Sequence, residues 1–214
     1  LLGFVCFGKV LSFGFSLMTR LSTFGAVNMF PVYQAFAMVI STYSIPSGYI
    51  IIFGVVWAVL VGSVILGGMP RIATVTEKIV PFMALLYITM AVIVLVANFN
   101  QIGTAFEQIF VGAFTGAGVA GGFIGALIQG LKRATFSNEA GVGSAAIAHS
   151  AVKTNEPATE GLVALLEPFI DTVIICTMTA LVITISGVNT AANLQDQALT
   201  GVELTRAAFM ETAP

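Results

Sequence analysis

The chain has 214 residues, 57% of them hydrophobic and only 8% charged, with a formal net charge of -2 and a mean hydropathy of +1.01. An average soluble domain is about a quarter charged, so this composition excludes an ordinary soluble domain and points to an integral membrane protein. Nothing in the charge balance suits nucleic acid, and the ten-residue alternating patterns of a membrane β-barrel are absent.

Charge-free stretches cover residues 21–70, 79–106, 108–131 and 172–195, each at or beyond the ~20 residues a helix needs to cross a bilayer core. Five spanning helices are predicted. The first runs from about Val10 to Ser41, interrupted by Arg20 and Pro31. The second covers Ser47 to Leu66 and stops at Gly67-Gly68-Met69-Pro70, and the third covers Ile79 to Ala97. Gln101 to Val111 is amphipathic and reads as interfacial rather than spanning. Gly112 to Gly130 forms a helix with seven glycines, and Gly161 to Ser186 forms the last span. The tail from Gly187 to Pro214 carries Asn189, Asp196, Glu203 and Glu211 and is expected to face water. Because the chain starts at Leu1 and stops straight after an amphipathic stretch, we read residues 1–214 as one transmembrane domain within a longer, transporter-sized polypeptide. Cys6 and Cys176 sit in apolar surroundings and read as small hydrophobes.

Gly-x-x-x-Gly spacing recurs at Gly112/Gly116, Gly118/Gly122 and Gly121/Gly125. Such spacing lets helix backbones approach closely; packing and the lining of a narrow path are compatible readings. After this helix comes Phe136-Ser-Asn-Glu-Ala-Gly-Val-Gly-Ser144, preceded by Lys132 and Arg133. Ser137 and Asn138 favour caps and turns, and Gly141 and Gly143 tolerate non-helical backbone. One half-helix is expected to end here and another to begin, freeing amide and carbonyl groups that can hold a carboxylate and Na⁺. The alternative is an ordinary cytoplasmic loop at the end of a span.

Asp171 lies about ten residues into the last span, roughly 15 Å deep at about 1.5 Å per residue. A carboxylate at that depth needs a partner or a cation, with Thr172 beside it and Arg20 or Arg133 as candidate counter-charges. Glu167 is one turn shallower and precedes Pro168. Asn28, Tyr33 and Gln34 are polar positions of the first span. His149, the single histidine, has no acidic residue placed by the sequence to orient it and no metal-ligand spacing around it, so hydrolase chemistry is not supported.

The segment from Gln129 to Gly187, with its Ser-Asn-Glu-Ala-Gly-x-Gly-Ser string and Phe-Ile-Asp-Thr about thirty residues later, resembles the sodium:alanine (alanine or glycine:cation) symporter family. The likeness extends back through GGMPRIATVTEKIVPFMALLY to Asn28-Met29-Phe30. It implies an all-α integral membrane protein, part of a leucine-transporter-like inverted repeat of two five-helix halves. The five spans would be core helices three to seven, with Lys132 to Ser144 the broken sixth helix and residues 188–214 an extracellular loop. It further implies a multi-pass protein of the plasma (inner) membrane that couples Na⁺ to symport of a small neutral amino acid such as alanine or glycine. Its partners would be that amino acid, Na⁺ and the lipid bilayer, without nucleic acid, cofactor or covalent chemistry. On this map Ser137, Asn138, Glu139 and Gly141 form the unwound segment near substrate, and Phe136 caps the pocket. Gln34 and Asn28 add polar contacts, and Asp171 with Thr172 supports an ion or a network. Pro31 and Tyr33 stand where the family commonly has amides, and Glu167 where a small or apolar residue is expected. A proton-coupled carrier or an exchanger of the same superfamily is the alternative, since Glu139 and Asp171 can titrate; a non-transporting structural subunit is the alternative of another class.

Lys9, Arg71, Lys78 and Lys153 flank the starts of alternate spans, whereas the loops near Tyr43 and Asn98 carry neither Lys nor Arg. The positive-inside rule therefore puts residues 67–78 and 153–159 in the cytoplasm and residues 42–46 and 188–214 outside. Cysteine labelling of whole cells checks this, and labelling of a Thr74→Cys variant from outside would reverse the orientation.

Overall fold

A computed structural model of the chain describes residues 2–43, 46–114, 127, 128, 130–188 and 201–212. Every regular element among the described residues is helical, and the chain divides into two compact units, Leu1–Ser63 and Val64–Pro214.

In the first unit, α1 (Leu2–Ser22) passes through a π-helical turn, Thr23–Val27, into α2 (Met29–Tyr43), and a 3₁₀ turn, Ser47–Tyr49, leads into α3 (Ile50–Ile65). Residues Phe7–Tyr43 are long and apolar enough to cross a membrane, whereas α3 is a shorter apolar helix. Arg20 sits in the last turn of α1 without breaking it. Pro31 falls in the first turn of α2, where amide groups have no intrahelical acceptor to lose. The interruption is instead the widened turn, onto whose Thr23 carbonyl the Asn28 side-chain amide donates at 3.2 Å. Phe36, buried in α2, meets Phe53 at a ring-centroid distance of 5.3 Å, and Phe53 stacks on Trp57 at 5.7 Å.

The second unit opens with α4 (Gly68–Ala97), 30 residues long. The region from Gly68 to Lys78, read from sequence as a loop, is thus helical. Pro70 is tolerated at the helix start, no glycine occurs from Met69 to Ala97, and the Thr74 and Thr76 hydroxyls bond back to the carbonyls of Pro70 and Ile72, each at 2.9 Å. α5 (Phe99–Phe114) extends the predicted amphipathic segment at both ends. Next come α6 (residues 130–137), the short α7 (Glu139–Val142) and α8 (Ala145–His149), and then α9 (Pro157–Pro168), a second π-helical segment (Phe169–Ile175) and α10 (Cys176–Ser186). Pro157–Ser186 and Gly68–Ala97 are both of membrane-crossing length and composition. Gly187, at φ 69°, closes α10 in the left-handed conformation that glycine adopts without strain. The last helix is α11 (Val202–Thr212).

Most of the predicted small-residue helix, including Gly122 and Gly125, lies outside the described residues. Of its two described ends, neither Gly112 nor Gly130 is in a close backbone contact: a Cβ at either would meet nothing within 4 Å.

The packed centre of this unit is made by α4, α10 and α11. Val94, Val182 and Ala208 are fully buried, with Leu95, Ile183, Val188 and Phe209 against them. Tyr87 meets the edge of Phe209 at 5.8 Å, and its hydroxyl bonds that of Thr179. Thr179 in turn donates to the carbonyl of Ile175 at 2.8 Å. The Asn98 side-chain amide donates to the carbonyls of Val94, at 2.9 Å, and Thr212, at 3.4 Å. Residues 202–212 of the tail are therefore helical and packed by one face on α10, with Glu211 exposed. The small Ala208 lets α11 lie directly on α10, and that contact sets the position of its charges.

Enlarging Ala208 to leucine should cost about 1–3 kcal/mol through overpacking. It should lower the unfolding temperature of the purified full-length protein in detergent. An unchanged temperature would show that α11 does not pack tightly on α10.

Candidate functional site

The site is built where two helix interruptions face one another. In the later one, Pro168 has no N–H to offer the carbonyl of Ala164, four residues earlier. The chain then widens into the π segment, in which the Cys176 amide bonds the carbonyl of Asp171, five residues back. π segments of this kind are rare and concentrate at functional sites.

The earlier interruption follows α6. Asn138 is extended, with φ −151° and ψ 175°, and its Oδ1 accepts from the Gly141 amide at 3.0 Å, capping the first turn of α7. Gly143, at φ 86°, ends α7, and its amide and that of Ser144 both bond the Glu139 carbonyl, at 2.8 and 3.1 Å. Gly141 is held to its identity by space: a Cβ there would lie 2.4 Å from the Ala134 carbonyl oxygen and 2.8 Å from that of Thr135. The chain folds back closely on the last turn of α6, and only a residue without a side chain fits.

Three consecutive residues of this break bond to the other one. The Ser137 hydroxyl donates to Asp171 Oδ2 at 3.2 Å. The Asn138 side-chain amide donates to the Thr172 hydroxyl at 3.1 Å, and the Glu139 backbone amide donates to Glu167 Oε1 at 3.2 Å. The Cys176 sulfur stands 4.0 Å from the Ser137 hydroxyl. Ser137, Asn138, Glu167 and Asp171 are partly buried, while Glu139 and Gly141 are exposed.

Ser137, Asn138, Glu139, Gly141, Asp171 and Thr172 are thus brought together in the second unit, at the end of α6 that carries Phe136. Phe136 is 53% exposed. Asn28 and Gln34 belong to the first unit, Asn28 directly after its π turn and Gln34 within α2. Asp171, for which Arg133 was a candidate counter-charge, is not ion-paired to it among the described residues; its carboxylate takes the Ser137 hydroxyl instead. Among the described residues, His149 Nδ1 and Glu160 Oε1 are hydrogen-bond partners at 2.5 Å, tying α8 to α9. Sequence reasoning missed Glu160 as the orienter of His149, although an acid in the first turn of a helix is an ordinary preference. It also left open the role of Glu167, whose spacing of four residues from Asp171 puts both on one helix face.

An all-helical chain with membrane-length apolar helices, interrupted at two points that share polar side chains, defines a multi-pass membrane protein. The chain belongs to the sodium:alanine symporter family, whose profile matches residues 7–213. It is 40% identical over 208 residues to the sodium/alanine symporter AgcS of Methanococcus maripaludis, which covers 97% of this chain and 45% of that protein. The probable sodium/glutamine symporter GlnT of Bacillus subtilis is 39% identical over 152 residues, covering 71% of this chain and 32% of its own. The putative sodium/proton-dependent alanine carrier YrbD of the same organism is 39% identical over 135 residues, covering 62% of this chain and 28% of its own. The chain therefore spans less than half the length of these relatives.

Gly141→Ala should disrupt the break, because the clashing atoms are backbone carbonyls that cannot swing aside. Gly161→Ala, where a Cβ meets nothing within 4 Å, should be neutral or stabilising by up to about 1 kcal/mol, since alanine favours a helix over glycine. Folded yield and unfolding temperature of the two variants in detergent give the comparison. Equal behaviour would show that the chain does not fold back on α6 as closely as described.

Proposed function

We propose that the full-length protein is a secondary transporter of the plasma membrane that couples Na⁺ to symport of a small neutral amino acid such as alanine or glycine. The observation that carries this reading is the triple link between the two helix interruptions, Ser137 to Asp171, Asn138 to Thr172 and Glu139 to Glu167, in a chain of this family. Interrupted helices are how membrane transporters bring backbone polar groups and charged side chains to a binding site without leaving them in hydrocarbon.

In this reading Ser137, Asn138, Glu139 and Gly141 present backbone and side-chain groups to the amino acid, and Phe136 covers it. Asp171 supplies the fixed negative charge that favours a cation, with the Thr172 hydroxyl as a neutral oxygen beside it. Transport needs no bond to be made or broken: the protein has only to bind the two solutes together and expose them to either side in turn. Sodium is the expected coupling ion because the relatives' names pair it with alanine or glutamine.

Uptake of labelled alanine by cells or vesicles carrying the full-length protein, with Na⁺ replaced by choline in a parallel sample, tests the reading. Uptake that ignores Na⁺ would refute sodium coupling. Asp171→Asn keeps an oxygen acceptor for Ser137 while removing the charge. It should therefore leave abundance near wild type and raise the Na⁺ concentration for half-maximal uptake about tenfold or more, the scale of a lost charged partner. Wild-type Na⁺ dependence in that variant, at equal abundance, would leave Asp171 as a structural residue.

A further inference from the structure

We propose that Glu167 is a positioning residue for the substrate segment, setting its geometry by accepting the Glu139 backbone amide without itself meeting the transported amino acid. The proposal rests on the transport reading above.

α7 has only four residues, Glu139–Val142, far below the length at which an isolated helix sustains itself. Its conformation therefore depends on what satisfies its ends. Asn138 Oδ1 takes the Gly141 amide and Glu167 Oε1 takes the Glu139 amide, so one acceptor is local and the other comes from α9. The Glu139 carbonyl is already engaged by the amides of Gly143 and Ser144. Glu139 is thus fixed on both sides of its backbone, and Glu167 is the only one of these partners outside the break.

Glu167 is also placed to hold the register between the two interruptions. It precedes Asp171 by four residues and Thr172 by five, with Pro168 and the start of the π segment between them. The Asp171 and Thr172 bonds are both to side chains of the break, Ser137 and Asn138, which can change rotamer. The Glu167 bond is to main chain, so it alone constrains the backbone directly. Glutamate is suited to this reach: its carboxylate bridges from one helix to the amide of another, and a charged acceptor bonds an amide more strongly than a neutral one.

The test uses the full-length protein at saturating Na⁺ and equal abundance, with uptake of labelled alanine measured over a concentration series for Glu167→Ala, Glu167→Asp and Glu167→Gln. Alanine removes the acceptor and aspartate shortens its reach by one carbon. Both should raise KM about tenfold, the scale of losing one hydrogen bond to a charged acceptor, while the maximal rate stays within about twofold. Glutamine keeps an oxygen at the same reach and should restore KM to within about threefold of wild type. A wild-type KM in Glu167→Ala overturns the proposal, and so does a Glu167→Gln variant as impaired as Glu167→Ala, since charge and not the bond to the amide would then matter. If Glu167→Ala does not accumulate, the contrast between aspartate and glutamine decides in the same way. Absence of Na⁺-dependent uptake by the unaltered protein refutes the transport reading itself, a result distinct from any outcome in the variants.

Discussion

In hydrocarbon every backbone amide and carbonyl must find a partner inside the protein, because no water is there to replace one. An unbroken helix meets that demand internally; a broken one does not. The break at Asn138 leaves an amide that its own short helix does not satisfy, and the acceptor comes from the end of α9, just before the π segment. The Glu139 amide goes to Glu167, and the polar side chains of Ser137 and Asn138 go to Asp171 and Thr172. Irregular backbone in the break is held by side chains that project from the end of α9 and from the π segment opposite it.

The rest of the second unit serves to hold that arrangement in place. α10 leaves the π segment and is clamped between α4 and α11 by Val94, Val182 and Ala208. Tyr87 reaches from α4 to Thr179, and Thr179 to the carbonyl of Ile175, the last residue of the π segment. A rigid apolar contact thus sits at one end of the interruption and a hydroxyl chain leads into it. Extensive apolar side-chain area remains exposed along the membrane-length helices, for example at Leu85 and Leu162.

The helices at residues 10–41, 47–66, 79–97 and 161–186 were legible in the sequence because long, nearly charge-free stretches of that kind are hard to mistake, whereas most of residues 112–130 lies outside the described residues. The break at Asn138 was legible for a related reason: Ser, Asn and two glycines in succession make a poor helix interior and a good turn. Boundaries set by charge were less so. Arg71 and Lys78 suggested a loop where α4 is continuous, and Glu203 and Glu211 gave no sign that α11 is a helix packed on its neighbours. In both cases long side chains place their charge away from the backbone that carries them, so charge alone did not locate the helix end. The partners of Glu167 and His149 were invisible for another reason. Each bond crosses between elements, Glu167 to Glu139 over 28 residues and His149 to Glu160 over 11, and spacing within one helix says nothing about it.

The π segment from Phe169 to Ile175 also sets a phase. Each residue of an α-helix turns by about 100°, so inserting one residue without widening the helix would rotate everything beyond it by that angle. A widened turn absorbs the extra residue locally and leaves the helix on either side in step. Asp171 and Thr172 can therefore be aimed at the broken segment while Val182 still faces Val94 and Ala208. Removing one residue between Asp171 and Cys176 would return the stretch to an ordinary helix and force a choice between those two alignments. In this chain the length between Pro168 and Cys176 accordingly matters more than the residues that fill it: a conservative exchange disturbs one contact, whereas a single deletion takes the polar face and the packed face out of register together.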